Sequence, residues 1–217
     1  MTTNERIKLF INELTLIKSS TIRQIVAECL AEAPEYFFHV PASASGKYHP
    51  VYALGEGGLV RHTKAAVQIA KDLFKAGLAE WYTVYDSDSF LPTEEFQDAA
   101  YAALILHDTY KLGIEDSALD KGGNPRHTQH DHPNIAFERF MTHLRHPECI
   151  PLTQEESLVC SQIACAIATH MGQWIYSPHS STVLMMPSSW LERFVHLCDY
   201  LASRKSIEVK FEGGTNE

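Results

Sequence analysis

A helix-compatible apolar run, Ala100-Tyr101-Ala102-Ala103-Leu104-Ile105-Leu106, stops abruptly at His107 and Asp108, and Lys111 follows one turn later. Residues 100, 103 and 104 continue at helical spacing into His107, so a face that must be buried ends in an imidazole with a carboxylate beside it. Lys111, four residues past His107, falls on the same side of a continued helix. A carboxylate on a buried face is costly unless a hydrogen bond, a cation or a metal compensates it. Either the helix end reaches water just before Gly113, or other segments bring partners to it.

The rest of the chain supplies such partners. Leu59, His62, Ala66, Ile69 and Leu73 form one stripe of a helix over 59–75, which puts His62 inside an apolar face. Thr153-Gln154-Glu155-Glu156 reads as a capping box opening a helix whose apolar face ends at His170. Ser189 and Glu192 read as a second box, and the helix it opens carries Asp199 within the stripe Leu191, Val195, Cys198 and Ala202. Core-facing sides of helices meet. His62, His107 with Asp108, His170 and Asp199 are therefore expected to converge, and imidazoles with carboxylates in a helical core make a transition-metal site by ligand type. Mn, Fe, Co, Ni or Zn suit such a mixture better than Ca, and Mg is admitted. The five cysteines are scattered without a CxxC pair, which argues against disulfides and against a cysteine zinc site.

Elsewhere the pattern predicts scaffold. Helices are expected over 4–17 and 22–33, the second capped by Ser19-Ser20-Thr21, and another over 134–146 after Pro133. Loops are expected over 34–50, 77–92, 113–131 and 171–188. The 77–92 loop holds Trp81, Tyr82, Tyr85 and Phe90, with Asp86 and Asp88 read as solvated. Strand signals are weak throughout. The sum is an all-α bundle of about seven to nine helices in a single domain over 1–204, with 1–33 as scaffold, 57–204 as the core and 205–217 as a frayed tail. The chain has 217 residues, 45% of them hydrophobic and 21% charged, which is ordinary for a globular domain with a real core. Its net charge of −9 makes it a poor general binder of polyanions and weighs against a long duplex as partner, though not against a short nucleotide. No apolar run approaches the ~20 residues of a membrane span, and the start of the chain lacks the form of a signal peptide, so a cytoplasmic location is expected and no membrane partner. The oligomeric state is not set by the pattern, and a homo-oligomer stays open.

The order His62, His107-Asp108, Asp199 resembles that of the HD-domain metal-dependent phosphohydrolase superfamily, as do Gly57-Gly58-Leu59-x-x-His62 and the apolar run before the doublet. His132-Pro133-Asn134-Ile135-Ala136-x-x-x-Phe140 looks like the helix opening that carries a fourth histidine in members with two metals, and His170 looks like the fifth. The segment from Phe37-Phe38 through Pro41-Ala-Ser-Ala-Ser-Gly-Lys-Tyr-His49 to Gly57-Gly58-Leu59-Val60-Arg61-His62 is similar to the approach to the HD domain in bacterial 3′→5′ exoribonucleases. The resemblance implies an HD-type helical bundle. One metal would be held by His62, His107, Asp108 and Asp199, and a second, through a bridging Asp108, by His132 and His170. His130, two residues before His132, is the competing fourth histidine. The implied activity is hydrolysis of a phosphoester in a nucleotide or oligonucleotide by metal-activated water, with Asp108 and Lys111 as catalytic groups. Lys111, Arg61, Lys47 and Arg126 are the candidate phosphate contacts, the last three from charge and proximity in sequence. Exonuclease-like action on a short single strand, and a regulatory module that holds a nucleotide without turning it over, stand as alternatives. The superfamily often has glycine where this chain has Tyr110.

Overall fold

The computed structural model describes residues 1–43, 45–78 and 91–211. Eight α-helices lie among them: α1 (Thr3–Leu9), α2 (Ile11–Leu14), α3 (Ser20–Glu32), α4 (Gly58–Lys75), α5 (Thr93–Leu106), α6 (His132–Leu144), α7 (Gln154–Thr169) and α8 (Trp190–Ala202). Two 3₁₀ turns, Glu35–Phe38 and Val51–Ala53, interrupt the long connection before α4. The described residues contain no strand, only two isolated bridges, and no helix among them is long and apolar enough to cross a membrane. Most of the 77–92 loop lies outside the described residues.

Helix α5 is the axis of the bundle. It packs against α2, α3, α4, α7 and α8, while α6 packs mainly on α7. Ala99, Ala100, Ala102, Ala103, Leu104 and Ile105 are all fully buried. An apolar stripe on one face does not account for that. The helix is buried all round, and its alanines let its neighbours approach closely. Burying a side chain such as Leu104 contributes about 1.5–3 kcal/mol. Asp98 lies in the same helix with 4% exposure. Its two oxygens accept the backbone N–H groups of Lys18 and Ser19, each at 2.7 Å. That carboxylate ties the entry of α3 to the axis.

Helix ends follow local chemistry. The box at Thr153 and Glu156 is closed in both directions. At α8 the expected box is shifted by one residue. Ser189 Oγ accepts from Glu192 N, but the Glu192 carboxylate accepts from Ser188 N at 2.8 Å rather than from Ser189 N. The N-terminal helix is broken at Phe10 into α1 and α2. Residues 207–211 are not frayed: Ile207, Val209 and Phe211 pack on the core, with Phe211 edge-on to Tyr52 at 5.4 Å between ring centres. The last six positions of the tail fall outside the described residues.

Candidate metal centre

The chain leaves helical geometry where the chemistry begins. Helix α5 ends at Leu106, and His107 is its C-cap. Thr109 Oγ1 donates to the Leu106 carbonyl at 2.7 Å, Lys111 N to the Asp108 carbonyl at 3.1 Å, and Gly113, at φ +92°, completes the turn. Lys111 is thus not a helical neighbour of His107. It lies one tight turn past Asp108, with Nζ at 2.5 Å from Asp108 Oδ2. The buried Tyr36 hydroxyl holds the turn from the other side, donating to the Gly113 carbonyl at 2.7 Å and accepting from Leu112 N at 3.0 Å.

Six of the sequence candidates meet here. His62 Nε2 is 2.9 Å from Asp199 Oδ1 and 3.7 Å from Asp108 Oδ2. His107 Nε2 is 3.5 Å from each of those oxygens. On the opposite oxygen, Asp108 Oδ1 lies 3.1 Å from His132 Nε2 and 3.8 Å from His170 Nε2. The ligand atoms of His62, His107 and Asp108 all lie within 4.8 Å of one another, as do those of Asp108, His132 and His170. All four imidazoles and Asp108 are at most 2% exposed, and the Asp199 side chain, at 18%, is the one donor that reaches the surface.

The rings are locked by a repeated device. The last carbonyls of a helix have no partner within it. His107 Nδ1 donates back to the Leu104 carbonyl at 2.7 Å and His170 Nδ1 to the Ile167 carbonyl at 2.8 Å, each at its own helix end. His132 Nδ1 does the same to the Gln129 carbonyl at 2.6 Å. A carbonyl only accepts, so these Nδ1 atoms carry protons, and each ring turns its Nε2 inward, where it presents a lone pair once that nitrogen is deprotonated. The consequence is sharpest between His132 and His170, whose Nε2 atoms lie 3.1 Å apart. Two lone pairs at that distance repel unless a proton or a cation lies between them and Asp108. His107 Nε2 is buried with no hydrogen-bond partner. These buried groups could hold a metal ion on each side, with Asp108 shared.

Electrostatics agree with the geometry. Burial works against a charged His107 ring, but the Asp108 and Asp199 carboxylates outweigh it and push its pKa up to about 10. Burial opposes ionisation of Asp108 as well, yet Lys111 and His107 hold it well below the usual carboxylate range. Asp199 is held low against burial by the neighbouring His107 and His62 rings. Burial, with His107 and His132 alongside, pushes His170 down to about 3.

A cleft of about 910 Å³ opens beside this cluster, lined by Lys111, His49, His130, His179 and the hydroxyls of Ser43 and Ser177 among others. Lys111 is the one phosphate candidate on it. Lys47 is exposed and lies over the Tyr48 ring at 5.0 Å. Arg61 donates to the carbonyls of Tyr52 and Leu54 and lines a separate cleft of about 710 Å³ with Lys64 and Phe211. Arg126 donates to the carbonyls of Glu115 and Ser117 and faces another surface. His130 stands on the cleft wall with Nε2 donating to the Ile175 carbonyl at 3.1 Å, so the histidine inside the cluster is His132. Tyr110 turns away from the metal donors into a contact with Cys29, Glu32 and Phe140, with the Arg139 guanidinium over its ring at 6.0 Å.

Two further histidines support the cluster. His49 sits edge-on to His62 at 5.5 Å, and burial, aided by His62 and Lys111, lowers its pKa to about 4. His196 Nδ1 donates to the His170 carbonyl at 2.7 Å. Gly172 makes that approach possible, since a Cβ there would lie 2.2 Å from the His196 ring. The Gly57-Gly58 pair acts similarly for His62. Gly57 takes φ +66°, and a Cβ on Gly58 would lie 2.3 Å from the Ala53 carbonyl oxygen. The pair seats the start of α4 against the preceding turn. No protein-family model, curated protein or solved structure matches the chain.

Proposed function

We propose that the chain is a metal-dependent phosphohydrolase of the HD-domain type, cleaving a phosphoester of a nucleotide or an oligonucleotide end with water. One observation carries this reading: the two oxygens of a single buried carboxylate, Asp108, face two separate pairs of imidazoles. His62, His107, Asp108 and Asp199 would hold one divalent ion, and His132, His170 and the other oxygen of Asp108 a second. Such ions bring the acidity of water into the neutral range and offset charge on phosphoryl oxygens.

The chain's own groups do the rest. The Leu104, Ile167 and Gln129 carbonyls keep three rings in the ligating tautomer. Lys111 orients Asp108 and reaches the cleft, so its ammonium can meet a phosphoryl oxygen in the transition state. Burial of the histidines excludes bulk water and strengthens each of these interactions.

Elemental analysis of protein purified without chelator should show more than one metal equivalent. A stoichiometry fixed at one would reassign His132 and His170 to substrate contacts. A turnover screen over nucleotide mono-, di- and triphosphates, cyclic dinucleotides and short single strands, with Mn added, tests the activity. Binding without product from any of them would replace the enzyme by a nucleotide-holding module.

A further inference from the structure

Beside the metal centre an aromatic and cationic ridge runs over the surface. Trp174 stacks on Tyr200 with centroids 5.6 Å apart and planes 18° from parallel. The Arg204 guanidinium lies 4.4 Å over the Tyr200 ring and 5.6 Å over Tyr48, and Lys47 caps Tyr48 at 5.0 Å. Trp174 is 42% exposed and Tyr48 55%.

We propose that this ridge of Trp174, Tyr200, Arg204 and Tyr48 is a stacking platform for the bases of a single-stranded nucleic acid whose end reaches the metal centre. The proposal rests on the hydrolase reading for the meaning of that end, and on three observations of its own.

The first is position. Tyr200 follows Asp199, the one metal donor that reaches the surface. Tyr48 precedes His49, and the Ile175 carbonyl next to Trp174 accepts from His130; both histidines line the cleft. The ridge therefore draws on the two loops that wall the cleft and on the helix that carries Asp199.

The second is division of chemistry. The described lining of the cleft consists of imidazole, hydroxyl, amide, ammonium and carboxylate groups, with Ala42 the one apolar side chain. That lining suits phosphate and sugar and offers no Phe, Tyr or Trp on which a base can stack. The ridge supplies what the cleft lacks. Each base has a π-face, so exposed aromatic rings bind single strands with little sequence preference.

The third is charge. The chain carries a net −9, yet two cations, Arg204 and Lys47, are set on these rings. A guanidinium over an aromatic face stacks on bases as well as pairing with phosphate. In a duplex the base faces are already stacked, and an acidic chain gains little from its phosphates, so the ridge selects single strands.

The test compares binding of a fluorescent hexathymidylate with that of an abasic hexamer of the same sugar-phosphate backbone, using the full chain kept metal-free by chelator so that nothing is cleaved. The base-containing strand should bind at least about tenfold more tightly, the scale of one stacked base. Trp174→Leu and Tyr48→Leu should each erase most of that preference while leaving abasic binding unchanged, and Trp174→Phe and Tyr48→Phe should retain it. Equal affinity for the two strands, no binding of either, or folded leucine variants that bind like wild type would overturn the ridge. Turnover of p-nitrophenyl phosphate by metal-loaded protein reports on the hydrolase reading separately. Turnover without base preference leaves the enzyme and removes the ridge, and base preference without turnover of either substrate does the reverse.

Discussion

On the Oδ2 side of Asp108, two imidazoles meet two carboxylates and the Lys111 ammonium; on the Oδ1 side, two imidazoles meet one carboxylate oxygen and each other. Without a metal the charges of the first half are matched within it, although His107 Nε2 makes no hydrogen bond there. His62 pairs with Asp199, and Lys111 with Asp108. The second half lacks such a match, because its Nε2 lone pairs converge 3.1 Å apart. With a metal the ranking reverses. The first half brings more negative charge and more donors, so it should hold its ion more tightly. The half that most lacks a cation is the half that releases one more easily.

The largest expected effect comes from removing what the halves share. Asp108→Ala should abolish metal binding on both sides and lower turnover by at least about a hundredfold, the upper range for mere supporting groups, with the helical circular dichroism retained. Full activity in that variant would sink the hydrolase reading. Next come variants that separate the halves. His170→Ala should leave one tightly bound equivalent, whereas Asp199→Ala should weaken the tighter one by at least about a hundredfold, beyond the range for supporting groups. In wild type, competition with a chelator should then release metal in two steps; a single step would erase the distinction.

The halves should also differ in pH response. His107, raised to about 10, holds a proton that an incoming ion must displace, so affinity of the Oδ2 half should rise about tenfold per pH unit through the neutral range. His170, lowered to about 3, has no proton to lose there, and isothermal titration should find less proton release on its side. The same His107 shift bears on the metal-free fold. Its pKa is raised above the ordinary 6.5, so its stabilisation is complete below that pH and is lost as pH rises through about 10. Urea melts of the metal-free chain at pH 7 and pH 10 should show that decline. The smallest effect is expected from Tyr36→Phe, which leaves the Leu112 N–H and the Gly113 carbonyl without their partner. The fold should lose about 1–3 kcal/mol, and both halves should lose affinity to a similar, few-fold degree. A loss confined to one half would show that the turn does not act on Asp108 as a unit.

Much of this was legible from the residues because helical periodicity reports which side of a helix is buried. It placed His62, His107, His170 and Asp199 toward one interior, and Pro133 marked the helix that begins at His132. Periodicity says nothing about where a helix stops. The turn from Asp108 to Gly113 depends on the Thr109 hydroxyl and on Tyr36, seventy-odd residues earlier, so the true relation of Lys111 to Asp108 was hidden. Charge alone was a poor guide to phosphate contacts, since Arg61 and Arg126 are engaged with backbone carbonyls. His196 stayed inconspicuous because it lies outside the apolar stripe of its helix. The place of Tyr110 followed from the turn: once the helix ends at Leu106, its side chain points to α3 and α6 rather than to the metal donors.

The Tyr36 hydroxyl reaches Leu112 and Gly113 across sequence separations of 76 and 77 residues. In kinetic terms that is a long loop to close, and its entropy must be met before the contact returns anything. Helices α4 to α8 can assemble around α5 through their apolar faces without it. The turn that aims Asp108 is fastened by the segment after α3, so the geometry of the candidate metal centre depends on the N-terminal layer as well as on the helices that carry its donors.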